Sequence, residues 1–187
     1  MEIESYITKE DFIFEKNNSM TNDLCADIID AIKKLNDIEL NFDLLYEEKW
    51  NKAKTFIINE LSLCIDTYSK KLRIKTINKD NHQILSFDKK CIYKPNCCIK
   101  KYVYREDIFE NSIELVNKVI SKNIILSKKL VYIWFLNDYD GDIIFWDNYK
   151  ITPRAGKLII FPVSFCFPYQ EMIKPDTYKY VIIGYIY

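Results

Sequence analysis

The sequence predicts an α+β chain in which helices come first and an antiparallel sandwich or jelly roll follows. Two observations carry that expectation. Between Thr21 and Lys71 apolar residues recur every three or four positions, the period of a helix with one buried face. From His82 onward, short runs rich in Ile, Val, Tyr and Phe alternate with polar turns. Strands that follow helices, rather than alternating with them, argue against parallel crossover units.

Thr21 or Asn22 is placed to cap a first helix that runs to about Asn36, with Leu24, Ile28, Ile32 and Leu35 on one face. A longer helix is expected over 43–71, where Trp50, Ala53, Ile57, Leu61, Cys64 and Tyr68 form one continuous stripe suited to covering a sheet. Strands are expected over 83–87, 91–94, 98–104, 130–136, 142–146, 157–161 and 178–187, and a short helix over 111–120. The acidic run from Asn137 to Asp142 has the spacing of the first calcium-loop ligands. However, Ile143 stands where that loop needs Gly and Tyr149 where it needs Glu, so a hairpin turn is the better reading.

The chain has 187 residues, 49% of them hydrophobic, which is enough to build a packed core. One domain over 1–187 is expected, with a helical part at 1–80 and the strand-rich core at 81–187. The formal net charge is zero, so no global field draws in nucleic acid or an anionic membrane. Lys70, Lys71, Arg73, Lys75 and Lys79 cluster where they suit a helix C-terminus, and nucleic acid is not expected as a partner. No run is apolar enough to span a membrane. Cys25, Cys64, Cys91, Cys97, Cys98 and Cys166 form no paired metal-binding spacing, and are expected as reduced, mostly buried thiols of a cytoplasmic protein. The abundance of Ile, Asn and Lys is a mark of AT-rich coding, as in large viruses.

A resemblance sharpens this reading. Val131-Tyr-Ile-Trp-Phe-Leu-Asn-Asp138, the acidic turn with Gly141, and Ile143-Ile-Phe145 resemble a strand–turn–strand of the prolyl 4-hydroxylases, which are iron- and 2-oxoglutarate-dependent oxygenases. Ile151-Thr-Pro-Arg-Ala-Gly-Lys-Leu-Ile-Ile-Phe-Pro162 is similar to that family's next strand, and the segment from Lys174 to Tyr185 follows its ending more loosely. The resemblance implies a double-stranded β-helix, or jelly roll, with the N-terminal helices packed on one sheet.

It also implies a site. That family holds iron with an H-x-D pair and a distal His, a facial triad that leaves positions open for 2-oxoglutarate and oxygen. Here the first place reads Arg105-Glu106-Asp107 and the distal one Tyr169. Arg has no lone pair to give a metal, and a phenol ionises only near pH ~10. The chain has one histidine, His82, upstream of the motif, so a two-His triad cannot be built. Arg105 and Asp107 share one face of an extended strand, where the guanidinium can pair with the carboxylate. Lys179 occupies the family's place for the residue that binds the distal carboxylate of 2-oxoglutarate, and Tyr93 and Tyr102 those of pocket tyrosines.

The functional expectation is a pseudoenzyme with no catalytic residue, no metal and no cofactor, which binds a protein or peptide in the former substrate groove. The alternative is an active peptidyl hydroxylase using Fe(II) and 2-oxoglutarate through an unorthodox site of Asp107, Tyr169 and Glu106.

Overall fold

The computed structural model describes residues 8–35, 39–41, 48–76, 98–103, 129–172 and 177–186, with the backbone alone for 35, 39–41, 49, 73–76 and 98–103. A 3₁₀ turn at Lys9–Phe12 leads into β1 (Phe14–Lys16), α1 (Asn22–Leu35), β2 (Glu39–Asn41) and α2 (Glu48–Thr76). Then come β3 (Cys98–Val103), β4 (Leu130–Phe135), β5 (Ile143–Phe145) and β6 (Tyr149–Ile151). The chain closes with β7 (Leu158–Pro162), β8 (Tyr169–Glu171) and β9 (Tyr178–Ile186). Six strands form one sheet in the order β1-β7-β4-β9-β3-β2, and three form another in the order β6-β5-β8. All the pairings are antiparallel. Two helices with two antiparallel sheets make the α+β architecture that the sequence predicts.

Strand alternation explains the layering. On β4 the even-numbered residues Leu130, Tyr132 and Trp134 join Leu158 and Ile160 of β7 and Ile182 of β9 beneath the helices. The helices present the expected stripes to this face: Cys25, Ile28 and Ile32 from α1, and Trp50, Ala53, Ile57, Leu61, Cys64 and Tyr68 from α2. The odd-numbered residues Val131, Ile133, Phe135, Ile159, Phe161 and Val181 point the other way, onto Ile143, Phe145 and Ile151 of the smaller sheet. The central strands are therefore buried on both faces. Each fully buried Leu or Ile contributes roughly 1.5–3 kcal/mol.

Thr21 caps α1, its hydroxyl accepting from the Leu24 amide at 3.4 Å. The helix α2 runs five residues past the expected end because Leu72 continues the buried stripe and no Gly or Pro intervenes before Thr76.

Three expectations need correction. The N-terminal part is not purely helical, since β1 and β2 cover opposite edges of the larger sheet. The run 137–142 is not a hairpin turn: β4 pairs with β7 and β9, whereas β5 pairs with β6 and β8, so this run crosses between sheets. Strand β5 ends at Phe145, because Trp146 and Asp147 take positive φ (50° and 64°) in the tight turn to β6. Trp146 is held in that uncommon conformation by its indole N–H, which donates to the Cys166 carbonyl at 2.8 Å, and by packing on Phe167 at 5.3 Å. Of the cysteines, Cys25 and Cys64 are buried free thiols, whereas Cys166 is exposed. The expected strands at 83–87 and 91–94 and the expected helix at 111–120 lie outside the described residues, as do Cys91 and Cys97. No helix among the described residues is long and apolar enough to cross a membrane.

Gly184 sits opposite Tyr132 in the β4–β9 register, and a Cβ there would come within 2.2 Å of the Tyr132 hydroxyl. Gly184→Ala is expected to destabilise the fold by about 1–3 kcal/mol through overpacking, read as a lower denaturant midpoint with an unchanged slope.

The helix layer is tied to the sheet by Glu60, which meets Lys16 Nζ at 2.5 Å and accepts from the Ser19 hydroxyl at 2.8 Å. Burial pushes the Glu60 carboxyl up, but the bonds from Lys16 and Ser19 outweigh it and hold it below its ordinary value. A depressed carboxyl stabilises the fold above its unfolded pKa of ~4.3, and that contribution is lost as the pH falls through the lower, folded value. Glu60→Gln is therefore expected to lower stability at neutral pH and flatten the acid limb below about pH 4, measured by thermal melts across pH.

Candidate functional site

The candidate site lies between the two sheets, where β8 faces β9. In the β5–β8 register Phe145 stands opposite Tyr169 and Ile143 opposite Glu171. Ile143 and Phe145 point into the inter-sheet core, so Tyr169 and Glu171 share that face. From the other layer, Val181 also points into this core, and alternation puts Lys179 and Tyr185 on the same side of β9.

The result is a buried ion pair. Lys179 Nζ donates to Glu171 Oε2 in a short charged hydrogen bond. The lysine side chain is 2% exposed and the glutamate 17%. A charge this far from water is tolerated only with a counter-charge. The Tyr139 ring lies 6.0 Å from the ammonium, and the Tyr139 hydroxyl accepts from Thr177 Oγ1 at 3.2 Å.

The crossing run 137–142 positions this pair. Asn137 Nδ2 donates to the Tyr178 carbonyl at 3.0 Å, and Asn137 Oδ1 accepts from the Tyr180 amide at 2.8 Å, so the backbone is gripped on both sides of Lys179. The acids of this run serve the fold: Asp138 Oδ1 accepts from the Ala155 amide and Asp142 Oδ1 from the Thr152 hydroxyl, each at 2.8 Å. At Gly141 a Cβ would fall 1.8 Å from the Met172 carbonyl, so only glycine lets the crossing run lie against the end of β8.

Tyr169 stands among aromatic rings, 5.3 Å from Phe161 and 5.6 Å from Phe145. Burial of its hydroxyl end pushes the phenol well above the ordinary tyrosine value, and the negative charge of Glu171 and the neighbouring Tyr185 push it further. At neutral pH Tyr169 is therefore a protonated donor, not a phenolate.

Lys179 and Tyr169, both marked by the resemblance, thus lie on facing layers of the inter-sheet core. Tyr102 is the register partner of Lys179 on β3. Arg105, Glu106, Asp107, Tyr93 and His82 lie outside the described residues. Glu171 was missed because β8 is only three residues long, and it shares a face with Tyr169 only once that strand is known.

No family model matches the chain, and no curated protein does. Solved structures do match. A prolyl 4-hydroxylase from Pseudomonas putida aligns over 94% of this chain and 91% of its own, at 11% identity and a TM-score of 0.52. The viral collagen prolyl hydroxylase of Paramecium bursaria Chlorella virus-1 aligns over 94% and 89%, at 13% identity and a TM-score of 0.53. Its complex with 2-oxoglutarate aligns over 94% of both chains, at 14% identity and a TM-score of 0.50. The fold is that of the prolyl 4-hydroxylases.

The residues do not fit the iron of a prolyl 4-hydroxylase. The chain holds one histidine, so a site of two histidines and one carboxylate cannot be built from it. No group of three His, Cys, Asp or Glu among the described residues is arranged to hold a metal. Lys179 is paired with Glu171 across the two sheets.

Lys179→Met is expected to cost roughly 3–5 kcal/mol, because it strands the Glu171 carboxylate. The double change Lys179→Met with Glu171→Gln is expected to recover most of that loss. Equilibrium unfolding of the native chain, both single variants and the double variant gives the coupling directly.

Proposed function

We propose that this chain is a prolyl 4-hydroxylase fold turned binding module, which takes an extended protein segment beside the inter-sheet space and performs no iron chemistry. The two sheets are read as the major and minor sheets of a double-stranded β-helix, in one domain that works in the cytoplasm. The observation that carries the reading is the single histidine, from which a triad of two histidines and one carboxylate cannot be built; the resemblance puts Tyr169 at the distal place.

Exposed apolar side chains support a binding role. Phe165 (95% exposed), Tyr169 (38%) and Met172 (51%) lie on and around β8, and Tyr178 (50%) opens β9. Aromatic and methionine side chains are enriched where proteins meet. An extended segment is the natural partner, since a structural relative is by name a collagen prolyl hydroxylase.

Two measurements test this. Anaerobic titration with Fe(II) or Mn(II) is expected to leave the melting temperature unchanged, whereas a specific site at ~100 times its Kd would add roughly 2.7 kcal/mol. A collagen-like peptide is expected to bind without consumption of 2-oxoglutarate. Iron-dependent consumption of 2-oxoglutarate would overturn the reading in favour of an active hydroxylase. Arg105→His with Tyr169→His is expected to create metal binding that neither single change gives.

A further inference from the structure

Away from the inter-sheet site, a lysine and a cysteine meet on one buried carboxylate. We infer that Lys16 and Cys64 form a peroxide-responsive pair, in which the oxidised Cys64 sulfur joins the Lys16 nitrogen as a sulfenamide and bonds β1 covalently to α2. The inference goes beyond the proposed function and uses none of its residues.

Three pieces of the fold converge there. Glu60 and Cys64 stand one turn apart on α2 and so share a face. Lys16 ends β1, and Ser19 follows in a turn where Asn18 takes a positive φ of 52°. The Ser19 and Met20 amides pin that turn, donating to the Gly156 carbonyl at 2.8 and 3.2 Å. Lys16 Nζ at 2.5 Å, Ser19 Oγ at 2.8 Å and Cys64 Sγ at 3.7 Å all meet a single oxygen, Glu60 Oε1. Nitrogen and sulfur are therefore neighbours around one atom, and each acts on the other's ionisation.

The chemistry follows from that placement. Hydrogen peroxide takes a thiol to a sulfenic acid and is reduced to water, the sulfur supplying both electrons. A sulfenic acid condenses with a thiol, or with a nitrogen to give a sulfenamide. At Cys64 the reactive neighbour is the Lys16 nitrogen. The ammonium first passes a proton to Glu60 Oε1, and the freed amine attacks the sulfur. The S–N bond forms as the S–O bond breaks, and the departing hydroxide leaves as water with a second amine proton. The chain has then lost two hydrogens, and a thiol reductant reverses the step by attacking the sulfur.

Burial sets the threshold. It pushes the Cys64 thiol up to about 11, so little thiolate is present at neutral pH and oxidation is slow. Cys64 is 1% exposed, but the Lys16 side chain is 42% exposed, so the cluster lies one side chain beneath the surface. Peroxide is little larger than water and can pass. Cys25 is raised to about 11 in the same way, yet it meets the backbone of Gly156 rather than an amine side chain. Cys166 is exposed and serves as the freely oxidised comparison.

Mass spectrometry tests the inference. The full native chain, Lys16→Arg and Cys64→Ser are each treated with excess hydrogen peroxide, unfolded without reductant, alkylated and digested. The native chain is expected to give a peptide pair joined through Lys16 and Cys64, lighter by two hydrogens and separated by dithiothreitol. Its early yield should rise about tenfold per pH unit below the thiol pKa, as the thiolate fraction grows. Neither variant should give the pair. Cys64 driven to sulfinic acid or into a disulfide, with no joined pair, would overturn the inference. So would a Cys64 left free when Cys166 is fully oxidised, or a Cys64 cross-link that survives in Lys16→Arg. Should a variant fail to fold, an amine-reactive label on the native chain decides. Lys16 is expected to lose its labelling after peroxide and regain it with dithiothreitol, and unchanged labelling counts against the inference.

Discussion

Burial of the central strands on both faces is the constraint from which the rest of the molecule follows. β4 reads Leu-Val-Tyr-Ile-Trp-Phe, with every residue buried. Such a strand cannot sit at a surface: its even face must be covered by one layer and its odd face by another. The helices supply the first cover and the three-stranded sheet the second. An antiparallel sheet more often leaves one face to water. Here the second cover creates a dry interior between sheets, and a charge placed there interacts far more strongly than it would at the surface.

That interior explains what was legible in the sequence. The stripes of α1 and α2, and the runs of β4, β7 and β9, are long and unbroken because two layers must be filled, and those elements stood out. β1, β2, β6 and β8 have three residues each, too few for alternation to show. Their identity is conferred by partners distant in sequence: β1 by β7, and β8 by β5. Trp146 misled in the opposite direction. Its aromatic ring looks like the end of a strand, yet its backbone turns, because a hydrogen bond and ring packing outweigh local preference.

The site divides in the same way. Lys179 and Tyr169 were visible because each occupies a place that the prolyl 4-hydroxylase pattern marks. Glu171 occupies no marked place, and its role appears only once β8 and β9 are set on facing layers. Residue type alone favours a solvated glutamate. What decides otherwise is the lysine across the gap, which has almost no contact with water and requires a counter-charge.

A buried cation in a binding pocket can receive its anion from a ligand or from the chain. When the anion is a ligand, the empty pocket carries an uncompensated charge, and the fold is stabilised only as that ligand binds. When the anion is Glu171, the charge on Lys179 is met from within the chain. A carboxylate held on β8 acts at an effective concentration on the order of millimolar or above, so a free competitor must exceed that level or make contacts that the glutamate cannot. An internal pair across the two layers offsets the cost of burying the ammonium. Lys179 and Glu171 therefore balance one another across the two sheets.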